Sequence, residues 1–310
     1  MEVSVSYDMK YLKIKAINAL LLWKKLKKRQ FGIIATIVLA AVIVLGLLWA
    51  TTAAKKNEEH QDTLQRVEKL GRIIWGVKSD TKLFGLMDTK TGVSKGFDVD
   101  IAKALTVQIS KQTGVPMSAE FVPVSSSSKI QLLKNTNIDG TVSTMTITPE
   151  REKIIDFTNQ YFDAGQSILV KKDSGIKSIK DMNDSKYKII VVVGTTAAEE
   201  TKKFAPKAKL LAVQDYATGM QALKAGQGQA MSTDNAILYG FATENPDYQI
   251  VGGTFTHGPY GIAFDNNQGP MVRETNKALA TIKKNGTYNK LIKKWFSDVP
   301  GLDWHELEAK

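Results

Sequence analysis

The chain has 310 residues, enough for one large domain or two of ordinary size, and it contains no cysteine. Disulfides, thiolate metal sites and a lipid-modified N-terminal cysteine are therefore excluded. The formal net charge of +11 is concentrated near the start, where residues 1–30 carry eight Lys and Arg against Glu2 and Asp8. The excess lies beside an apolar run and not on a groove-reading module, which argues against nucleic acid as a partner.

Residues 31–50 (FGIIATIVLAAVIVLGLLWA) carry no charge and one hydroxyl, Thr36. At ~1.5 Å per residue this run covers the ~30 Å hydrocarbon core of a bilayer. The cluster from Lys24 to Arg29 predicts that its N-terminal side stays in the cytoplasm, with Trp49 near the outer interface. A secretory signal is the alternative, with Thr52-Ala53-Ala54 as its cleavage site. Signals have apolar cores of ~7–15 residues and short leaders, so an uncleaved anchor is expected. Residues 51–71 are charged and predict a short helical stalk.

Beyond the stalk, RIIWGV (72–77) reads as a first strand, followed by the turn SDTKLFGLMD. KGFDVDIAKALTVQISKQTG predicts a helix capped by Asp98, with Ile101, Leu105 and Ile109 on its apolar face. The strand AEFVPV then leads into the serine-rich loop SSSSKIQLLK. The most informative stretch is DGTVSTMTITPEREKIIDFTNQY, from Asp139 to Tyr161. It predicts a short strand over Gly140–Ser143, a turn dense in hydroxyls, and a helix with Thr148 as N-cap and Pro149 in the first position. That placement brings Arg151 close to Ser143, Thr144 and Thr146. A guanidinium there suits a two-pronged grip on a carboxylate; the alternative is a plain ion pair with Glu152 on a solvated face.

In the second half, the unbroken apolar run Ile189–Val193 predicts a parallel strand buried on both faces. Gly194-Thr195-Thr196 leads from it into the helix AAEETKKF, which is either an anion site or an ordinary turn of an α/β unit. KLLAVQ and DYATGMQALKAGQ follow as strand and helix, then GQAMSTDNAILYGF as a strand and a helix start with Asp234 as its N-cap. YQIVGG, PYGIAFD and NKALATIKKNGTYNKLIKKWF supply return strands and closing helices. His60, His257 and His305 have no metal-ligand spacing, and there is no H-E-x-x-H, P-loop or G-x-S-x-G, so no metal or cofactor is expected.

The stretches DGTVSTMTITPER and DFTNQY resemble the signature D-G-x-x-S-x-M-T-I-T-P-E-R and D-F-S-x-P-Y of type II solute-binding proteins that serve polar amino acid ABC transporters. Thr158 stands for the Ser and Gln160 for the Pro; GFDVD and YGIA are further matches, and the resemblance covers about residues 72–296. It implies an α/β fold of two lobes with two crossover hinge strands, like the type II periplasmic binding proteins. Lobe 1 would comprise 72–160 and 262–296, lobe 2 166–258, and the tail 297–310 would lie outside. Together with the anchor, this places the binding domain on the extracellular face of the cell membrane, as a partner for a permease and its ATPase.

The resemblance also implies a site. Arg151, with Ser143, Thr144 and Thr146, would hold an α-carboxylate; Gly194, Thr195 and Thr196 would touch the ligand from the opposite lobe; Asp234 would face its ammonium. Asp80 belongs to a motif ending in an aromatic lid, but Leu83 occupies the aromatic's place and Phe84 follows it. Ser126 and Lys129 lie in the ligand-facing turn, Lys129 where relatives binding acidic amino acids carry an arginine. Four serines and a lysine suit a short side chain ending in oxygen: glutamate, glutamine, aspartate or asparagine. Lys129 would then select the acids, or else point to solvent while the serines hold an amide. Three other readings of the fold are a cyclohexadienyl dehydratase, the regulatory module of a lytic transglycosylase, and a sensor. The matched motifs offer no general acid for the first, no second catalytic domain accompanies the second, and about thirty cytoplasmic residues are all the third would have for signalling.

Overall fold

The computed structural model describes residues 62–309, with Asn18, Ile43 and Val44 before them. The basic leader, the apolar run 31–50 and the first part of the stalk otherwise lie outside the described residues. Among those described, no helix is long and apolar enough to cross a membrane.

Two five-stranded sheets carry the fold. The first contains β1 (Arg72–Lys78), β5 (Ser118–Val124), β6 (Gly140–Thr141), β7 (Ile155–Phe157) and β13 (Ala263–Asp265), in the order β5-β1-β6-β13-β7. β1 runs parallel to β5 and β6, while β13 returns antiparallel between β6 and β7. Alternate residues Ile73, Trp75 and Val77 of β1 are fully buried, as the period of two requires. A small antiparallel meander, β2 (Asp80–Thr81), β3 (Gly85–Asp88) and β4 (Val93–Lys95), stands at the end of β1.

The second sheet has β8 (Gln166–Lys171), β9 (Lys188–Val192), β10 (Lys209–Val213), β11 (Ala230–Asp234) and β12 (Tyr248–Val251), ordered β10-β9-β11-β8-β12. β9, β10 and β11 are parallel, with β9 flanked by buried side chains on both faces. That accounts for its unbroken apolar run.

Two segments cross between the sheets and pair antiparallel. Tyr161 N–H donates to Tyr260 C=O at 2.9 Å, Tyr260 N–H to Phe162 C=O at 2.9 Å, and Gly258 N–H to Ala164 C=O at 2.7 Å. Beside them lies an aromatic cluster in which Phe84 meets Phe162 at 5.1 Å and Phe296 at 5.5 Å between ring centroids. Edge-on pairs of this kind add about 0.5–1.5 kcal/mol each beyond burial.

One local expectation changes in the fold, and two flanking segments find places on lobe 1. The described end of the stalk is helical. Its helix Thr63–Leu70 docks on lobe 1, with Val67 in the core and Thr63 N–H donating to Gln268 Oε1 at 2.7 Å. The tail also docks: Trp304 and Leu307 pack against the same core, and Ala309 N–H donates to Asn289 at 2.9 Å. Asp98 does not cap its helix, which begins at Phe97 behind Gly96. Its carboxylate turns inward instead, to a task in the cleft.

Candidate ligand-binding site

The cleft is built first from the turn between β6 and β7. Thr148 has extended backbone and its hydroxyl accepts from Arg151 N–H at 3.3 Å, so the short helix Pro149–Glu152 starts where capping chemistry requires. Arg151 therefore leaves the first turn pointing into the cleft. Its guanidinium donates to Thr146 C=O at 2.7 Å and to Gly194 C=O, on the opposite lobe, at 3.1 Å. It forms no ion pair with Glu152. Two of its five N–H groups are thus engaged, one in each lobe.

Thr144, earlier in the turn, has φ 46, in the left-handed region that disfavours a β-branched residue by about 1–2 kcal/mol. Asp98 holds it there. One carboxylate oxygen accepts from Thr144 N–H and the other from the Tyr161 hydroxyl, both at 2.8 Å. Burial pushes this carboxyl up to about 7, against those two hydrogen bonds and the nearby Lys129 and Lys78.

Lys129 begins the helix Lys129–Lys134 and is 3 % exposed. It does not point to solvent: its ammonium donates to Ser143 C=O at 2.8 Å. Burial, then the positive charges of Arg151 and Lys78, hold it well below the usual lysine range. Lys78, at the end of β1, is fully buried and lies 2.9 Å from Asp80 and 3.1 Å from the Ser126 hydroxyl. Its ammonium also sits 5.3 Å from the ring centroid of Tyr216, a lobe 2 residue.

From lobe 2, Gly194 follows β9 with φ 77, and Thr195 and Thr196 lead into the helix Ala197–Phe204. The Thr196 hydroxyl accepts from Gln166 Nε2 at 3.2 Å. Asp234 ends β11 and precedes the helix Asn235–Glu244, yet its side chain caps nothing. It accepts from Gln166 Nε2 at 2.5 Å and from the Tyr260 hydroxyl at 2.6 Å. Burial raises its carboxyl to about 6, opposed by Tyr260, Lys129 and Arg151.

These groups enclose a cavity of about 10 Å³. Lobe 1 contributes Ser126, Lys129, Thr144, Thr146 and Arg151; lobe 2 contributes Gly194, Thr195, Thr196, Tyr216 and Asp234. Arg151, Thr196 and Asp234 also line a second, larger cavity of about 480 Å³, a vestibule bordered by His257 and Lys203. Ser143 lies behind the wall, its hydroxyl 2.7 Å from that of Thr141, and Asp80 stands behind Lys78.

Leu83 and Phe84 are placed elsewhere. Phe84 is fully buried in the aromatic cluster beside the hinge, and Leu83, with φ 72, packs in the same lobe 1 core. The aromatic surface of the cavity is instead Tyr216. Sequence reasoning missed Tyr216, Lys78, Gln166 and Tyr260. A usable signal existed for Lys78, since a charge ending an apolar parallel strand falls where α/β sheets gather their sites.

Two lobes joined by paired crossovers, closing on an arginine from one side and an aspartate from the other, define a two-lobed solute-binding protein. The chain belongs to the bacterial extracellular solute-binding proteins, family 3, which residues 73–298 match. It is 42% identical over 275 residues to the ABC transporter glutamine-binding protein GlnH of Bacillus subtilis, covering 88% of this chain and 99% of that protein. It is 45% identical over 201 residues to the glutamine-binding protein of Geobacillus stearothermophilus, covering 65% of this chain and 75% of the relative. Among solved structures it resembles an ancestral arginine-binding protein bound to glutamine, with TM-score 0.66 and 38% identity over 74% of this chain and 99% of the other.

Proposed function

We propose that this protein is the binding component of an ABC importer for a polar amino acid, and that glutamine is its preferred solute. Arg151 receives the α-carboxylate, assisted by Thr146 and the turn at Thr195 and Thr196. Asp234 receives the α-ammonium. The side chain reaches toward Lys129, Ser126 and Tyr216, with Lys78 behind. A cavity of about 10 Å³ holds little more than one water, so a solute enters when the lobes part and is enclosed when they meet.

The observation that carries the choice of solute is the balance of charge. Lys129 and Arg151 line the cavity opposite Asp234, while behind the wall Lys78 is paired with Asp80 and Asp98 is bonded to Thr144 and Tyr161, so the formal charges of the cavity and its backing balance. A zwitterion with a neutral amide leaves that balance intact, and its amide oxygen accepts from the Lys129 ammonium. A cationic side chain meets Lys129 and Lys78 as like charges in a dry cleft, which is unfavourable. Glutamate adds one negative charge and depends on Lys129 to compensate it.

Calorimetry on the full-length protein tests this with glutamine, glutamate, asparagine, aspartate and arginine. Glutamine is expected to bind tightest. In Lys129→Met, glutamate is expected to lose about ten-fold more affinity than glutamine, because only the acid loses a counter-charge. An unchanged ratio would take Lys129 out of the site, and tight arginine binding would overturn the pocket's reading.

The same proposal includes a single anchor at residues 31–50, with the leader in the cytoplasm and the binding lobes outside, where they meet the permease. The uncharged length and the basic cluster before it support this. Protease treatment of wall-stripped cells is expected to remove the lobes and spare the N-terminal segment. Release into the medium of a protein beginning near Ala54 would mean a cleaved signal instead.

A further inference from the structure

Two tyrosines lie side by side at the hinge, and each gives its hydroxyl to a buried carboxylate. Tyr161 donates to Asp98 of lobe 1 at 2.8 Å, and Tyr260 to Asp234 of lobe 2 at 2.6 Å, with 6.2 Å between the ring centroids. Tyr260 is fully buried. Its ring stacks on Phe162 at 5.7 Å, its N–H is bonded to Phe162 C=O, and its C=O accepts from Tyr161 N–H. A ring packed against Phe162, Phe84 and Tyr161 and carried on a hydrogen-bonded backbone has little freedom to follow a partner, so the partner is placed by it. The other oxygen of Asp234 is fixed by Gln166, itself anchored on Thr196.

We propose that Tyr260 is a positioning residue for solute capture: its hydroxyl keeps the Asp234 carboxylate charged and aimed into the cleft, and so ties the group that receives the ammonium to the hinge. This rests on the reading of Asp234 as the ammonium's partner. No strand or core requirement accounts for the bond, since Asp234 makes no cap contact and phenylalanine would fill the same space.

The bond has a consequence for pH. The groups facing Asp234 are Arg151 from the helix Pro149–Glu152, Lys129 from the helix Lys129–Lys134, Tyr216 from the helix Tyr216–Lys224, and Tyr260, with neutral Gln166 and Thr196. His257 lines the same vestibule and pairs with Asp163 at 2.9 Å. Arg151, Lys129 and the Tyr260 hydroxyl all favour the carboxylate, and burial opposes them. The carboxyl sits at about 6, so it gains a proton as pH falls below that value, and an ammonium then loses its counter-charge. Removing one of the three supports moves that midpoint up.

Glutamine affinity is measured on the full-length protein from about pH 5 to pH 8 in wild type, Tyr260→Phe and Tyr161→Phe. In the wild type, affinity is expected to fall as pH drops through about 6. In Tyr260→Phe the fall is expected to begin about one pH unit higher, giving roughly ten-fold weaker binding below both midpoints and near-normal binding at the alkaline end. Tyr161→Phe leaves both hydrogen bonds of Asp234 in place and acts instead on Asp98 and the Thr144 turn, so it is expected to change affinity through that turn without reproducing the one-unit shift of Tyr260→Phe. A wild-type midpoint in Tyr260→Phe, or a shift confined to Tyr161→Phe, overturns the proposal. A flat wild-type profile removes Asp234 from the ammonium, and the failure then lies in the underlying reading of the site.

Discussion

Arg151→Ala is expected to weaken glutamine binding by ~3–5 kcal/mol, because the α-carboxylate loses a charge-assisted partner inside a closed cleft. Two contributions combine. The guanidinium N–H groups beyond those on Thr146 and Gly194 have no substitute in the turn, whose other donors are hydroxyls and backbone amides. The bond from Arg151 to Gly194 C=O also joins the lobes, so its loss withdraws one of the contacts that favour the shut state. The fold itself should survive, since the helix start depends on Thr148 and Pro149 and not on the side chain of Arg151. Calorimetry with glutamine, beside a thermal melt without it, checks both parts. Near-normal affinity would place the α-carboxylate elsewhere.

Gly194→Ala is expected to have an effect of similar size by a different route. Gly194 has φ 77, and a Cβ there would lie 2.6 Å from both Ser126 C=O and the Ser127 Cα of the facing lobe. The left-handed strain, about 1 kcal/mol, applies whether the lobes are open or shut. The collision with lobe 1 backbone applies only when they shut, and backbone cannot swing aside as a flexible side chain does. Apparent affinity scales with the population of the closed form, so glutamine binding should weaken roughly a hundred-fold. Small-angle scattering should show little ligand-induced compaction. Normal affinity together with normal compaction would mean that the lobes do not approach at this point in the bound state.

The parts of this protein legible in its sequence are those decided over short stretches of chain. The TPER helix start, the unalternating β9 run and the Gly194 turn depend on caps, periodicity and φ preferences, which act within a few residues. The same helix start puts Arg151 near Ser143, Thr144 and Thr146 but leaves it between a grip on a carboxylate and an ion pair with Glu152; the fold decides against Glu152 by bringing Thr146 C=O and Gly194 C=O to the guanidinium.

Other features depend on what distant segments place nearby. Lys129 could turn to solvent or inward on its local pattern; Ser143 C=O, brought alongside by the fold, decides for inward. Phe84 sat one place from an expected lid, but rings from both crossovers and from the helix Thr287–Phe296 draw it into the core. Lys78 meets Ser126 across 48 residues, and Tyr260 meets Asp234 across 26. Capping and periodicity carry no information about such pairs, because burial and a buried charge's need for partners are settled only when the whole chain packs.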